Sequence, residues 1–174
     1  MLVDTGLLLL RIIVGLMVAA HGAQKLFGWW GGPGLKGFTG WLASMGLWPA
    51  SLWAVIAALG EFGGGLLLAL GLLDPIGSFG IISAMLTAIA LVHWGKGIWA
   101  AKGGAELPLM ILAAALAVAF TGPGNFSLDT LFKINLPEAT SLRIGGFVIV
   151  GLGLIAVLVS RWRPKSAQNT GKSA

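Results

Sequence analysis

Long apolar runs separated by short polar or glycine-rich breaks dominate the chain. A helix needs about 18–20 consecutive apolar residues to cross the hydrocarbon core of a bilayer. Four runs reach that length, at residues 5–27, 51–73, 76–94 and 141–160. A fifth, at 105–120, is shorter, and its apolar stretch LPLMILAAALAVAF only just reaches. The pattern predicts an all-α, polytopic membrane helix bundle, with residues 1–160 as a single membrane domain and 161–174 as a basic, disordered tail.

The breaks add detail. Residues 28–50 are too glycine-rich to span. Within them Leu35, Phe38, Leu42 and Met45 recur at helical spacing, which predicts a short interfacial helix with its apolar face turned down into the membrane. Pro33 suits its start and Gly46 its end. A re-entrant hairpin is the alternative, and it would have to be covered by the bundle. Leu73-Asp74-Pro75 reads as a tight turn, and Thr121-Gly122-Pro123-Gly124-Asn125 as a loop.

Composition sharpens the class. The 174 residues are 57% hydrophobic and 10% charged, whereas a soluble domain is about 25% charged. The net charge of +5 is explained by topology, because basic residues near apolar spans collect on the cytoplasmic side. No basic stripe alternates with stacking aromatics on a polar segment, which argues against nucleic-acid binding. There is no cysteine, which excludes disulfide relays, cysteine-ligated iron–sulfur clusters and C-x-x-C-H haem attachment. The N-terminus does not read as a cleaved signal peptide, since Asp4 stands where a basic region would be and Arg11 interrupts the apolar run.

Five spans with the N-terminus outside place Lys25, Lys36, Lys96, Lys102, Arg161, Arg163, Lys165 and Lys172 on the cytoplasmic side. Lys133 and Arg143 fall outside, beside Asp4, Asp74, Asp129 and Glu138. The same cytoplasmic face collects Trp29, Trp30, Trp41, Trp48, Trp53, Trp94, Trp99 and Trp162. They read as interfacial anchors, or in part as the lining of a mouth or a partner surface. Gly60 and Gly64 make a small-xxx-small pair, for packing within the chain or for a homo-oligomer.

A charge at the centre of a span costs roughly 2.5–3.5 kcal/mol on insertion scales, so each one needs a reason. The candidates are Arg11, His21 and Lys25 on the first span, Glu61 on the second and His93 at the end of the third. His21 and Lys25 are four apart and share a helix face, with Gln24 close beside it. Lys25 can snorkel toward the headgroups. Glu61 is too short and too deep to reach water, so it is neutral or paired with Arg11, His21 or Lys25. That describes a buried polar network, or a site at which Glu61 and His21 exchange protons. The two histidines lie at similar expected depth on separate helices and so raise haem, although a lone pair is a weak signal. No metal site is expected.

These residues also resemble a known family. LLLLRIIVGLMVAAHGAQKLFG, a glycine-rich segment, GEFGGGLLLALGLL, a histidine closing the third span and ELPLMILAAALAVAFTGPGNFSLD together resemble the DoxX/DoxD-like membrane proteins. The resemblance runs over roughly residues 7–129. It is carried by Arg11, His21-Gly22-x-Gln24-Lys25, Glu61 before glycines, and the stretch from Gly122-Pro123-Gly124 to Ser127-Leu128-Asp129. It implies a bacterial or archaeal inner-membrane protein with a four-helix core, here with a fifth C-terminal span, and association with quinone-linked oxidoreductases.

Two function classes follow. In the first, the chain is an accessory subunit that binds quinone without covalent attachment. His21, Gln24, Lys25, Arg11 or His93 would contact the ring, Glu61 would exchange protons, and a membrane or peripheral redox protein would carry the electrons. In the second, it is a non-catalytic scaffold or assembly protein. A small-solute or proton pathway is a third, weaker option, since intramembrane Glu, His and Arg also mark transport routes.

Overall fold

The structure, a computed structural model, describes residues 1–136 together with Gly145, Gly146 and Gly151. Apart from those three glycines, the expected span at 141–160 lies outside the described residues, as does the tail at 161–174.

Helix α1 runs Leu2–Phe27 and stops at Gly28, whose φ of 73° is left-handed and whose N–H returns to Gln24 O. Helix α2, Gly34–Ser44, follows the glycine-rich break. Helix α3, Ala50–Leu70, ends at Gly71, also left-handed. Helix α4, Ile76–Ala88, continues through a π-helical turn at Ile89–His93. Helix α5 is Glu106–Thr121. The short α6, Leu128–Phe132, is capped by Ser127, whose Oγ accepts from Thr130 N.

The chain is an all-helical membrane bundle. Among the described residues, three segments are long and apolar enough to cross a bilayer: Leu2–Phe27, Ala50–Leu70 and Ile76–His93. Helix α5, with 16 residues, extends about 24 Å, short of the roughly 30 Å hydrocarbon core.

Helix α3 is the centre of the bundle, with α1 on one side and α4 on the other. Its glycines explain both contacts. A Cβ at Gly65 would lie 2.5 Å from Ala19 N, and one at Gly64 would lie 2.9 Å from Gly77 O. Any larger side chain at either place would push two backbones apart. Gly60 and Gly64, the small-residue pair of α3, both face α4 of the same chain, at Gly80 O and Gly77 O. An apolar core of Val18, Leu68, Ile81, Ile82, Met85, Ile111, Ala115 and Val118 joins α1, α3, α4 and α5.

A second core corrects one expectation. The apolar face of α2 is not turned down into lipid. Phe38 and Leu42 are buried with Leu47, Trp53 and Ala54, so α2 closes one end of the bundle against the start of α3. Burial against protein leaves Lys36 exposed on the other face of α2, while Trp41, part exposed, stacks on Phe38 at the edge of the buried face.

Candidate functional site

Glu61 lies on the buried stripe of α3 and is 3% exposed. Its Oε1 is 2.5 Å from Lys25 Nζ, a charge-assisted pair joining α1 to α3. The same ammonium sits 5.0 Å from the centroid of the Phe38 ring on α2. Lys25 thus ties three helices together instead of reaching out to headgroups. Glu61 Oε2 is buried and has no hydrogen-bond partner among the described residues.

This pair stands in the wall of an elongated cavity of about 630 Å³ between α2, α3 and α4. Most of the wall is apolar, from Phe38, Leu42, Met45, Ile56, Ala84 and Leu91 among others. Its polar side chains include Lys25, Glu61, Ser83, Thr87 and His93. Trp53 also lines it, and its buried Nε1 lacks a partner. His93 Nδ1 is 2.7 Å from Gly103 O. A carbonyl only accepts, so Nδ1 carries the hydrogen and Nε2 is the free ring nitrogen.

Arg11 belongs to the opposite end. It is 1% exposed, and its guanidinium donates to Pro123 O and, at 2.6 Å, to Phe126 O in the α5–α6 loop. Asp129 on α6 accepts from Leu73 N and Asp74 N, both at 2.8 Å. The carboxylates of Asp74 and Asp129 neighbour the Arg11 charge. This clamp gathers the α3–α4 turn and the α5–α6 loop onto α1.

The expected site residues are therefore only partly brought together. Lys25, Glu61 and His93 share the cavity, and Arg11 does not. His21 is exposed and does not line the cavity. The buried seam of α1 runs through Gly15, Val18 and Gly22, and His21 sits one residue, about 100°, around the helix from Gly22. Gln24 is half-buried, with Gly32 packed against its backbone and Cβ. Among the described residues no three His, Asp or Glu side chains could hold a metal ion together.

Ser83 and Thr87 carried no functional signal in the sequence, whereas Trp53 was among the tryptophans read as anchors or in part as the lining of a mouth. Ser83 and Thr87 are four residues apart on an apolar helix, which is the one sign that they share a face. Of the eight tryptophans, Trp29, Trp30, Trp41, Trp48, Trp94 and Trp99 are exposed around the α2 end, while Trp53 is buried and Trp162 lies outside the described residues.

Residues 6–94 match the family model described as DoxX. A Bacillus subtilis (strain 168) protein named "Putative oxidoreductase CatD" is 33% identical over 126 residues, which cover 72% of this chain and 86% of that protein. No solved structure matches the chain.

Proposed function

The chain belongs to the DoxX family, and from that premise we propose that it is an accessory, quinone-interacting subunit of a membrane oxidoreductase. The observation that carries this reading is a largely apolar cavity walled by a buried carboxylate whose Oε2 has no partner. Small-molecule sites have this character, with apolar walls and a few placed polar groups. A bound quinone supplies the electron-carrying ring and two oxygens that gain protons on reduction.

The chain's own residues do the rest. Glu61 Oε2 accepts an O–H from the ring and is the atom at which a proton is exchanged. Lys25 holds Oε1 and so fixes the orientation of the carboxylate. The apolar walls exclude bulk water from the ring and accommodate an apolar tail. Without cysteine the chain has no thiolate for an iron–sulfur cluster, so electrons come from a membrane or peripheral redox partner. The placement is the cytoplasmic (inner) membrane, with the N-terminus outside and the α2 end facing the cytoplasm, as the basic residues favour.

Glu61→Gln is expected to abolish quinone-linked turnover in membranes, while His21→Ala, away from the cavity, leaves it intact. Unchanged turnover in Glu61→Gln would sink the reading. Extraction in mild detergent followed by mass spectrometry should recover a redox protein and quinone with the chain. Phospholipid alone would favour the second reading, a non-catalytic scaffold, for which the exposed tryptophans at the α2 end are the supporting surface.

A further inference from the structure

The polar groups of the cavity are not spread evenly. Gly80 on α4 packs against Gly60 O on α3, which puts Glu61 about one turn from the start of α4. Ser83 lies one turn from there toward the α2 end, Thr87 one turn further, and His93 closes the helix. Each α-helical turn advances about 5.4 Å. In the other direction the wall is Ile76, Phe79, Gly80, Leu136 and Gly145, without a polar side chain among the described residues. Phe79 packs directly on Gly145 there.

We propose that Ser83, Thr87 and His93 form a one-sided proton route, connecting Glu61 to the α2 end of the bundle and not to the Arg11 end. It rests on the reading of Glu61 as the proton-exchanging group, and it adds the residues and the side from which the proton comes. The free Nε2 of His93 takes a proton at the mouth. Water in the cavity, held by the Ser83 and Thr87 hydroxyls, passes a proton to Glu61 Oε2, and the net transfer is one proton from one aqueous face to one carboxylate. Thr87 Oγ1 donates to Ser83 O at 2.8 Å, which leaves its oxygen lone pairs free to accept. Ser83 Oγ has no protein partner among the described residues. Among the described residues, the charged and titratable groups on the wall are Lys25 from α1, Glu61 from α3 and His93 after α4, while α2 offers only apolar and tryptophan side chains.

The chain has no cysteine, so single-cysteine variants of the full protein read accessibility without background. In sealed vesicles of each orientation, a small charged thiol reagent should label Ser83→Cys and Thr87→Cys only from the face that labels Lys36→Cys on α2. It should not label them from the face that labels Lys133→Cys beyond α6. Labelling from the Lys133 side, or from neither side, overturns the proposal.

The proton itself is read by infrared spectroscopy of the Glu61 carboxyl after a pH jump on the α2 side, with Glu61→Gln identifying the band among only six acidic residues. His93→Ala and His93→Gln should both slow the response by an order of magnitude. Gln can still donate to Gly103 O but cannot carry a proton, so a normal rate in His93→Gln would reduce His93 to a structural role and overturn the route. These measurements use no quinone. Labelled cysteines with turnover that ignores Glu61→Gln would overturn the quinone reading and leave the route standing.

Discussion

Each end of the bundle has a cation on α1, and the two cations are used differently. Arg11 donates to two backbone carbonyls, and beside it Asp129 accepts two backbone N–H groups. Lys25 meets one carboxylate oxygen and one aromatic face, and the second oxygen of that carboxylate is left without a partner. A planar guanidinium suits two fixed carbonyls, while a flexible ammonium suits a single movable partner. The Arg11 end therefore ties loops to a helix. The Lys25 end leaves an acceptor in the wall of a cavity, where a ligand or a proton can use it.

Substitutions at the two ends test that contrast. Arg11→Met should have the largest effect on stability, about 3–5 kcal/mol, because it strands buried carbonyls and the carboxylates beside them. Thermal unfolding in detergent would show it, and Arg11→Lys should recover only part of the loss. A wild-type melting temperature in Arg11→Met would break the comparison from the structural side.

Lys25→Met comes next, at about 1–3 kcal/mol, since it leaves Glu61 buried and unpaired. The double variant Lys25→Met/Glu61→Gln should regain most of that stability and yet remain inactive in quinone-linked turnover. A double variant with normal turnover would mean that the pair is only a brace, like the clamp. Asp129→Asn should cost about 1–2 kcal/mol, because an amide can accept only one of the two N–H bonds well. Ser127→Ala, which removes the cap of α6, should be mildest, at about 1 kcal/mol. Neither should alter turnover in membranes beyond the loss of folded protein.

The sequence made both ends visible but not their difference. Arg11, Lys25 and Glu61 stand out because a charge inside an apolar run is costly wherever the helix happens to point. Who pairs with whom does not stand out. Asp129 is marked only as the end of the family-like stretch after Gly122, and its task depends on two N–H groups more than fifty residues away. His21 and Lys25 share a face by spacing, yet the helix turns so that the Gly15–Gly22 seam meets α3 and His21 is left exposed. The cavity itself was not legible, because its wall is drawn from four helices, although Lys25, Glu61 and His93 on that wall were marked as charges in apolar runs.

The sequence by itself determined the class of the protein, its helices and their glycine-marked ends. Those features are local, since hydropathy over one span and the backbone freedom of one residue decide them. Only the tertiary structure decided that Glu61 pairs with Lys25, that Arg11 serves the other end, and that α2 packs on α3. Those outcomes depend on helix rotation and relative depth. Both are set by close packing at Gly15, Gly64 and Gly65, between residues far apart in the chain.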